Sequence, residues 1–213
     1  MQPEFLAFSI IILLFSVILH EVMHGLVALK FGDTTAQKAG RLTLNPLPHI
    51  DPIGTILVPL LFIVPPLLSG GSIGPFLAWA KPVPVNPLNF NNLRRGELLV
   101  SAAGILANFG LAIVGAVLYH LLSNFGVPYL VLGLLQFMIT INLTLGVFNL
   151  LPIPPLDGSK ILLSQLPYHL AREYQKFEQY GFIVLMLLVF VPGSPLFGIL
   201  SFIIRLLYKL LGF

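Results

Sequence analysis

This sequence predicts an all-α polytopic membrane protein: about five transmembrane helices, one re-entrant segment and a small β-hairpin or strand at the membrane edge. Three observations predict it. The 213 residues are 57% hydrophobic and only 9% charged, with a mean hydropathy of +0.96; a soluble domain carries about 25% charged residues. Several apolar runs approach or exceed the roughly 20 residues that cross a bilayer. No linker, low-complexity tract or repeat divides the chain. One domain over 1–213 is therefore expected, with its core in about 4–158 and a C-terminal part in 160–213.

Residues 4–31 read as a single helix, roughly 42 Å long at about 1.5 Å per residue, ended by Gly32 and Asp33. The stretch TTAQKAGRLTLN (34–45) alternates and carries threonines, which predicts a strand or hairpin. Its part 38–45, with Arg41, Leu42 and Thr43, offers an edge to which another chain could add. Residues 46–54 are turn material, and 53–68 is an apolar run weakened by Pro59, Pro65 and Pro66. Residues 74–87 are extended, since proline fixes φ and keeps its predecessor out of the α region. Strong spans follow at about 97–122 and 128–151, the second broken by NLLPIPPLDG (149–158). Residues 160–179, with Lys160, Arg172, Glu173, Lys176 and Glu178, suit an amphipathic interfacial helix. The runs 180–191 and 195–211, hinged at PGSP, read as a helical hairpin.

Composition also excludes. A net charge of +3, scattered along the chain, gives no nucleic-acid surface, and the lack of cysteine rules out disulfides and cysteine-ligated zinc. The N-terminal MQPEF has no basic n-region and no cleavage site follows it, so the first helix is expected to be retained.

The chemistry sits in LHEVMHG (19–25). On a helix, i and i+4 share a face, so His20 and His24 aim at one point, and Glu21 can reach a ligand held there. Two imidazoles and a neighbouring carboxylate suit zinc hydrolysis: two anchors, and a base that takes the proton of a zinc-held water. Ionisable groups at membrane depth cost roughly 2.5 kcal/mol or more each by insertion scales, and a bound cation compensates them. A catalytic zinc takes a third protein ligand. Asp33, His49, Asp51 and Asp157 are the candidates. Asp157 is preferred, because the proline-rich break before it can turn its carboxylate back into the membrane, where non-helical backbone survives only along a cavity.

HEVMH on a membrane helix, joined to NLLPIPPLDG some 125 residues on, resembles the site-2 protease family of intramembrane zinc metalloproteases. GRLTLNPLPHIDPIGT, AKPVPVNP and SAAGILAN extend the resemblance over much of 20–160. It implies one Zn²⁺ per chain held by His20, His24 and Asp157, with Glu21 as general base. It implies membrane-anchored protein substrates cut in or beside the bilayer. Asn149 becomes a candidate for binding substrate backbone or the oxyanion, and the strand residues Arg41, Leu42 and Thr43 for holding an unwound substrate. Asn108 is a further substrate-side candidate, although Ile105 stands where many members have proline. The chain resembles short members without PDZ or nucleotide-sensing modules.

One zinc requires both motifs at one depth, so 4–31 and 128–151 must run in the same direction. Segment 53–68 should then dip in and return, paired with 72–80. In that arrangement all eleven Lys and Arg fall on one side, against eight and three if every apolar segment spans. The positive-inside tendency makes that side cytoplasmic: a multi-pass protein of the cell membrane, active site toward the cytoplasm, N-terminus outside, C-terminus inside. The alternative is a metal or proton transporter using His20, Glu21, His24 and Asp157 as a transit site. Transporter folds often show internal repeats; here none is found, and transport gives no reason for the hydrolase spacing of Glu21.

Overall fold

The computed structural model describes residues 3–69, 80–191 and 194–213. Among them the fold is entirely helical. Helix α1 (Pro3–Lys30) stops where Gly32 adopts φ +99°, a left-handed conformation that glycine accepts without strain. A single turn, α2 (Thr35–Lys38), follows. A wide helical turn, Pro52–Leu57, is capped by Asp51, which accepts from the N–H of Ile53 and Gly54; it leads into α3 (Val58–Ser69). Then come α4 (Leu93–Leu122), α5 (Tyr129–Asn149), α6 (Asp157–Gln165), α7 (Tyr168–Phe190) and α8 (Pro195–Leu210).

Helix α4 is the centre of the bundle. Its buried face is rich in small residues, among them Gly96, Ala103, Gly104, Ala112, Gly115 and Ala116, which let neighbouring backbones come close where lipid offers no hydrophobic drive. Contacts along it fix the helix directions. On α1, His24 meets Val100 and His20 meets Asn108, so α1 and α4 are antiparallel. On α5, Phe137 meets Phe5 and Asn142 meets Ser16, so α1 and α5 run in the same direction. Chain 34–92 therefore begins and ends at one end of the bundle, where the Asn91 N–H donates to the Phe31 carbonyl (2.9 Å).

Several expectations need correction. There is no strand at 38–45. Ala36 is buried in the α2 turn, Gly40 turns the chain at φ +64°, and Arg41 is drawn inward. Thr43 and Asn45 then take the N–H groups of Asn45 and Leu47 onto their own side chains. Such local bonds compete with a ladder that has no partner strand to complete it.

The interfacial helix ends early at Gln165, and α7 runs unbroken from Tyr168 through the segment expected to start a hairpin. Helices α7 and α8 meet at 79°, not as a hairpin. Among the described residues, helices α1, α4 and α5 are long and apolar enough to cross a membrane, and the bent α7–α8 pair counts as at most one more; about five were expected over the chain. Segment 72–79, the expected partner of 53–68, lies outside the described residues.

The C-terminus is also misplaced by the sequence reading. Leu196 and Leu200 of α8 pack on Val147, near the end of α5, while Leu211 and Phe213 pack beside Tyr119 at the far end of α4. The start of α1 and the end of α8 thus lie at the same end of the bundle. Arg205 and Lys209 go with α8, leaving nine of the eleven cations at the other end.

Candidate metal centre and cleavage site

The two motifs meet. His20 and His24, one turn apart on α1, face the first residue of α6, Asp157, and all three are at least nine-tenths buried. Asp157 Oδ2 lies 3.1 Å from Nε2 of each histidine, and the two Nε2 atoms are 3.0 Å apart. These spacings are short enough for hydrogen bonds, yet the protons are elsewhere. The Val100 carbonyl can only accept, so the 2.6 Å contact makes His24 Nδ1 a donor. The Met138 carbonyl likewise orients the Asn142 amide, whose NH₂ also donates to Ser16 Oγ (2.8 Å). Asn142 Oδ1 then accepts from Asn108 Nδ2 (2.9 Å), which turns Asn108 Oδ1 toward His20 Nδ1 at 2.6 Å. In its neutral form each imidazole therefore carries its proton on Nδ1.

Two bare Nε2 lone pairs and a carboxylate oxygen with no hydrogen-bond donor are left facing one point. Burying three acceptors against each other is unfavourable unless a cation joins them. The donor set, two imidazoles and one carboxylate, fits zinc and leaves a fourth position open. Close approach matters as much: a Cβ on Gly104 would lie 2.5 Å from His24 Nε2, so only glycine lets α4 back the cluster.

Glu21, one residue along from His20, is half-buried, and its Oε2 accepts the Val83 N–H at 2.7 Å. The cluster opens into a cavity of about 510 Å³, which Glu21, Asn149 and residues of 82–87 also line. Glu97, Lys160 and Glu178 stand around it. Asn149 donates its amide to the Leu145 carbonyl (3.0 Å) and lines the cavity.

The other predicted residues fall elsewhere. Asn108 is fully buried and positions His20; it does not line the cavity. Arg41, Leu42 and Thr43 do not line it either. Arg41 is turned inward onto the carbonyls of Lys81 and Pro82, and Leu42 faces Gly25, where a Cβ would come within 2.5 Å of it.

The rejected third-ligand candidates each have other partners. Asp51 caps a helical turn, and His49 is buried against the Thr43 carbonyl (2.9 Å). Asp33 is fully buried and accepts from Thr35, Asn86 and Asn89. Burial by itself raises the Asp33 pKa, but the hydroxyl of Thr35, the N–H of Asn86 and the amide of Asn89 hold it below its ordinary value.

Sequence reasoning missed the Val100 carbonyl, Gly104, Ser16 and the Val83 N–H as parts of the site. Two are backbone groups, which carry no residue signature. The place of Asn142 in the His20 relay appears only when three helices are brought together.

Residues 128–192 match peptidase family M50. The chain is 42% identical over 191 residues to the candidate zinc metalloprotease YwhC of Bacillus subtilis, covering 87% of this chain and 81% of that protein. It is 33% identical over 187 residues to Rip2 of Mycolicibacterium smegmatis, named in the same way, covering 84% of this chain and 65% of Rip2. The chain thus spans just under two thirds of that relative. Zinc metalloprotease MJ0392 of Methanocaldococcus jannaschii is 30% identical over 158 residues, 74% of this chain and 34% of that protein. No solved structure matches the chain.

Proposed function

Given that this chain belongs to peptidase family M50, the site-2 proteases, whose members are membrane zinc metalloproteases, we propose that it cuts membrane-anchored proteins within or beside their transmembrane segments. His20, His24 and Asp157 hold one Zn²⁺. The observation that carries this reading is the meeting of three metal-ligating atoms, all within 4.8 Å of one another, at the wall of a cavity. When bound, zinc supplies Lewis acidity, polarising a substrate carbonyl and lowering the pKa of a nearby water to about 7.

The chain's own groups do the rest. Glu21 keeps Oε1 free of the Val83 bond, accepts the proton of the attacking water there and returns it to the leaving amine. Asn149 faces the same cavity and binds the substrate backbone or the developing oxyanion. Ser16, Asn142 and Asn108 hold His20 in the tautomer that leaves Nε2 bare. Nine of the eleven cations lie at the end of the bundle that carries the site, and by the positive-inside tendency this supports reading that end as the cytoplasmic one of a cell-membrane protein. Segment 53–68 enters the membrane region and returns, and 1–213 acts as one domain.

The test is zinc by elemental analysis, with cleavage of a library of quenched-fluorescence single-span peptides in proteoliposomes. Parent protein holding about one zinc and cutting a member, Glu21→Gln holding zinc without cutting, and Asp157→Ala losing most zinc would support the reading. A parent that takes up no zinc when it is supplied would sink it.

A further inference from the structure

Two buried charges lie outside the cavity and face no ionised partner. Asp33 is fully buried and Arg41 is 6% exposed, and among the described residues neither forms an ion pair. A buried charge without a counter-charge is costly unless hydrogen bonds compensate it. Here both charges make such bonds to one segment of chain, at opposite ends.

Arg41 Nη2 donates to the Lys81 carbonyl at 2.6 Å and to the Pro82 carbonyl at 3.3 Å, while the Lys81 N–H donates to the His49 carbonyl at 2.9 Å. Asp33 Oδ2 accepts the Asn86 N–H at 2.8 Å, and Oδ1 accepts the Asn89 amide at 2.8 Å. Between the two clamps the chain forms neither helix nor strand, and it includes Pro82, Val83 and Pro84. Prolines have no N–H, so Val83 offers the one backbone donor of that tripeptide, and that donor meets Glu21 Oε2 at 2.7 Å. The Val83 side chain is buried against α1, where a Cβ on Gly25 would come within 2.9 Å of it.

From this geometry we propose that Arg41 and Asp33 are positioning residues for the general base, acting through a strap, residues 81–89, that presents the Val83 N–H to the Glu21 carboxylate. The proposal rests on the reading of Glu21 as base. One Glu21 oxygen is fixed by the strap and the other is left to take a proton from water. The prolines serve the same end: they stiffen the strap and remove competing donors. Arg41 thus acts on the enzyme's own backbone, not on a substrate.

Val83→Pro is the direct test, since it deletes one N–H from a segment in which prolines already flank the position. With zinc-loaded protein and the single-span peptide that the parent cuts, Val83→Pro and Arg41→Met are each expected to lower kcat by about tenfold or more. A misplacement of the order of 1 Å can cost as much as ~100-fold. KM and zinc content should stay near the parent's. If Arg41 acts through the strap, the double variant is no slower than Val83→Pro alone, because coupled residues do not add.

Hydrogen exchange supplies a readout apart from activity: the Val83 amide should exchange at least about tenfold faster in both Arg41→Met and Glu21→Ala, as expected when local opening becomes easier. Should Arg41→Met not accumulate, Asp33→Asn loosens the other end and takes its place in the cycle. Val83→Pro cutting at the parent rate, additive losses in the cycle, or unchanged exchange would each overturn the proposal. Glu21→Gln separates the two levels. If it cuts like the parent, the reading of the base fails; if it is inactive while Val83→Pro is not impaired, only the strap fails.

Discussion

Replacing Asn108 by leucine tests the site through a residue that the cavity does not expose. Asn108 Oδ1 accepts the His20 Nδ1–H at 2.6 Å, and its amide donates to Asn142 at 2.9 Å. Leucine has nearly the same shape but removes both bonds, leaving one buried donor and one buried acceptor without partners. Each such orphan costs about 1–3 kcal/mol, so the apoprotein should lose about 2–6 kcal/mol. Loss of a partner that orients a metal-binding histidine typically weakens metal affinity by about 10–100-fold, or roughly 1.4–2.7 kcal/mol. The assay is competition for zinc against a fluorescent chelator in detergent, beside thermal unfolding of the metal-free protein. Asn108→Asp, which keeps an acceptor for His20, should bind zinc more tightly than Asn108→Leu. If Asn108→Leu holds zinc as tightly as the parent, then His20 is not oriented through Nδ1 and the tautomer argument is wrong.

Other consequences can be measured with the same preparations. Glu21→Gln should retain zinc and lose peptide cleavage by about 10²–10⁴-fold, the usual contribution of a general base; unimpaired turnover would remove Glu21 from the chemistry. Gly104→Ala places a methyl 2.5 Å from where His24 Nε2 now sits, so elemental analysis should find it zinc-poor even with zinc in excess, and full occupancy would refute the close approach. Asp33 is held below its ordinary pKa of 3.8, so it contributes stability that is fully present above about that pH and lost as the pH falls through its lower folded value. Asp33→Asn should therefore unfold at a lower temperature than the parent at pH 7, with the gap closing below about pH 3.8; a gap independent of pH would contradict the charged role.

How much was legible in the sequence depended on whether a feature is local. The i, i+4 spacing of His20 and His24 is a property of one helix, and so is the isolation of three ionisable groups in an apolar run. Asp157 was legible because a proline-rich break at membrane depth needs a reason. The helices α1, α4 and α5 were legible within a few residues, since apolar length alone marks a span. The strand at 38–45 was misread because alternation is a weak signal when no partner strand exists, and local bonds from Thr43 and Asn45 prevailed. The C-terminal direction was misread because two short apolar runs around PGSP fit a hairpin or a bend equally well. Packing of Leu196 and Leu200 against Val147 decides between them.

By itself, then, the sequence determined that the chain resides in a membrane, which residues could ligate a metal, and which carboxylate could serve as base, because those follow from composition and from spacing along one helix. Only the tertiary structure decided that Asp33, His49 and Asp51 are spoken for elsewhere. It alone showed that Asn108 and Asn142 orient His20, and that Arg41 and Asp33 clamp a strap onto Glu21. The physical reason is that a buried polar group must find its partner wherever the fold brings one. For His20, Glu21, Asp33 and Asn142 such partners lie 88, 62, 53 and 126 residues away along the chain, two of them backbone N–H groups that carry no residue signature.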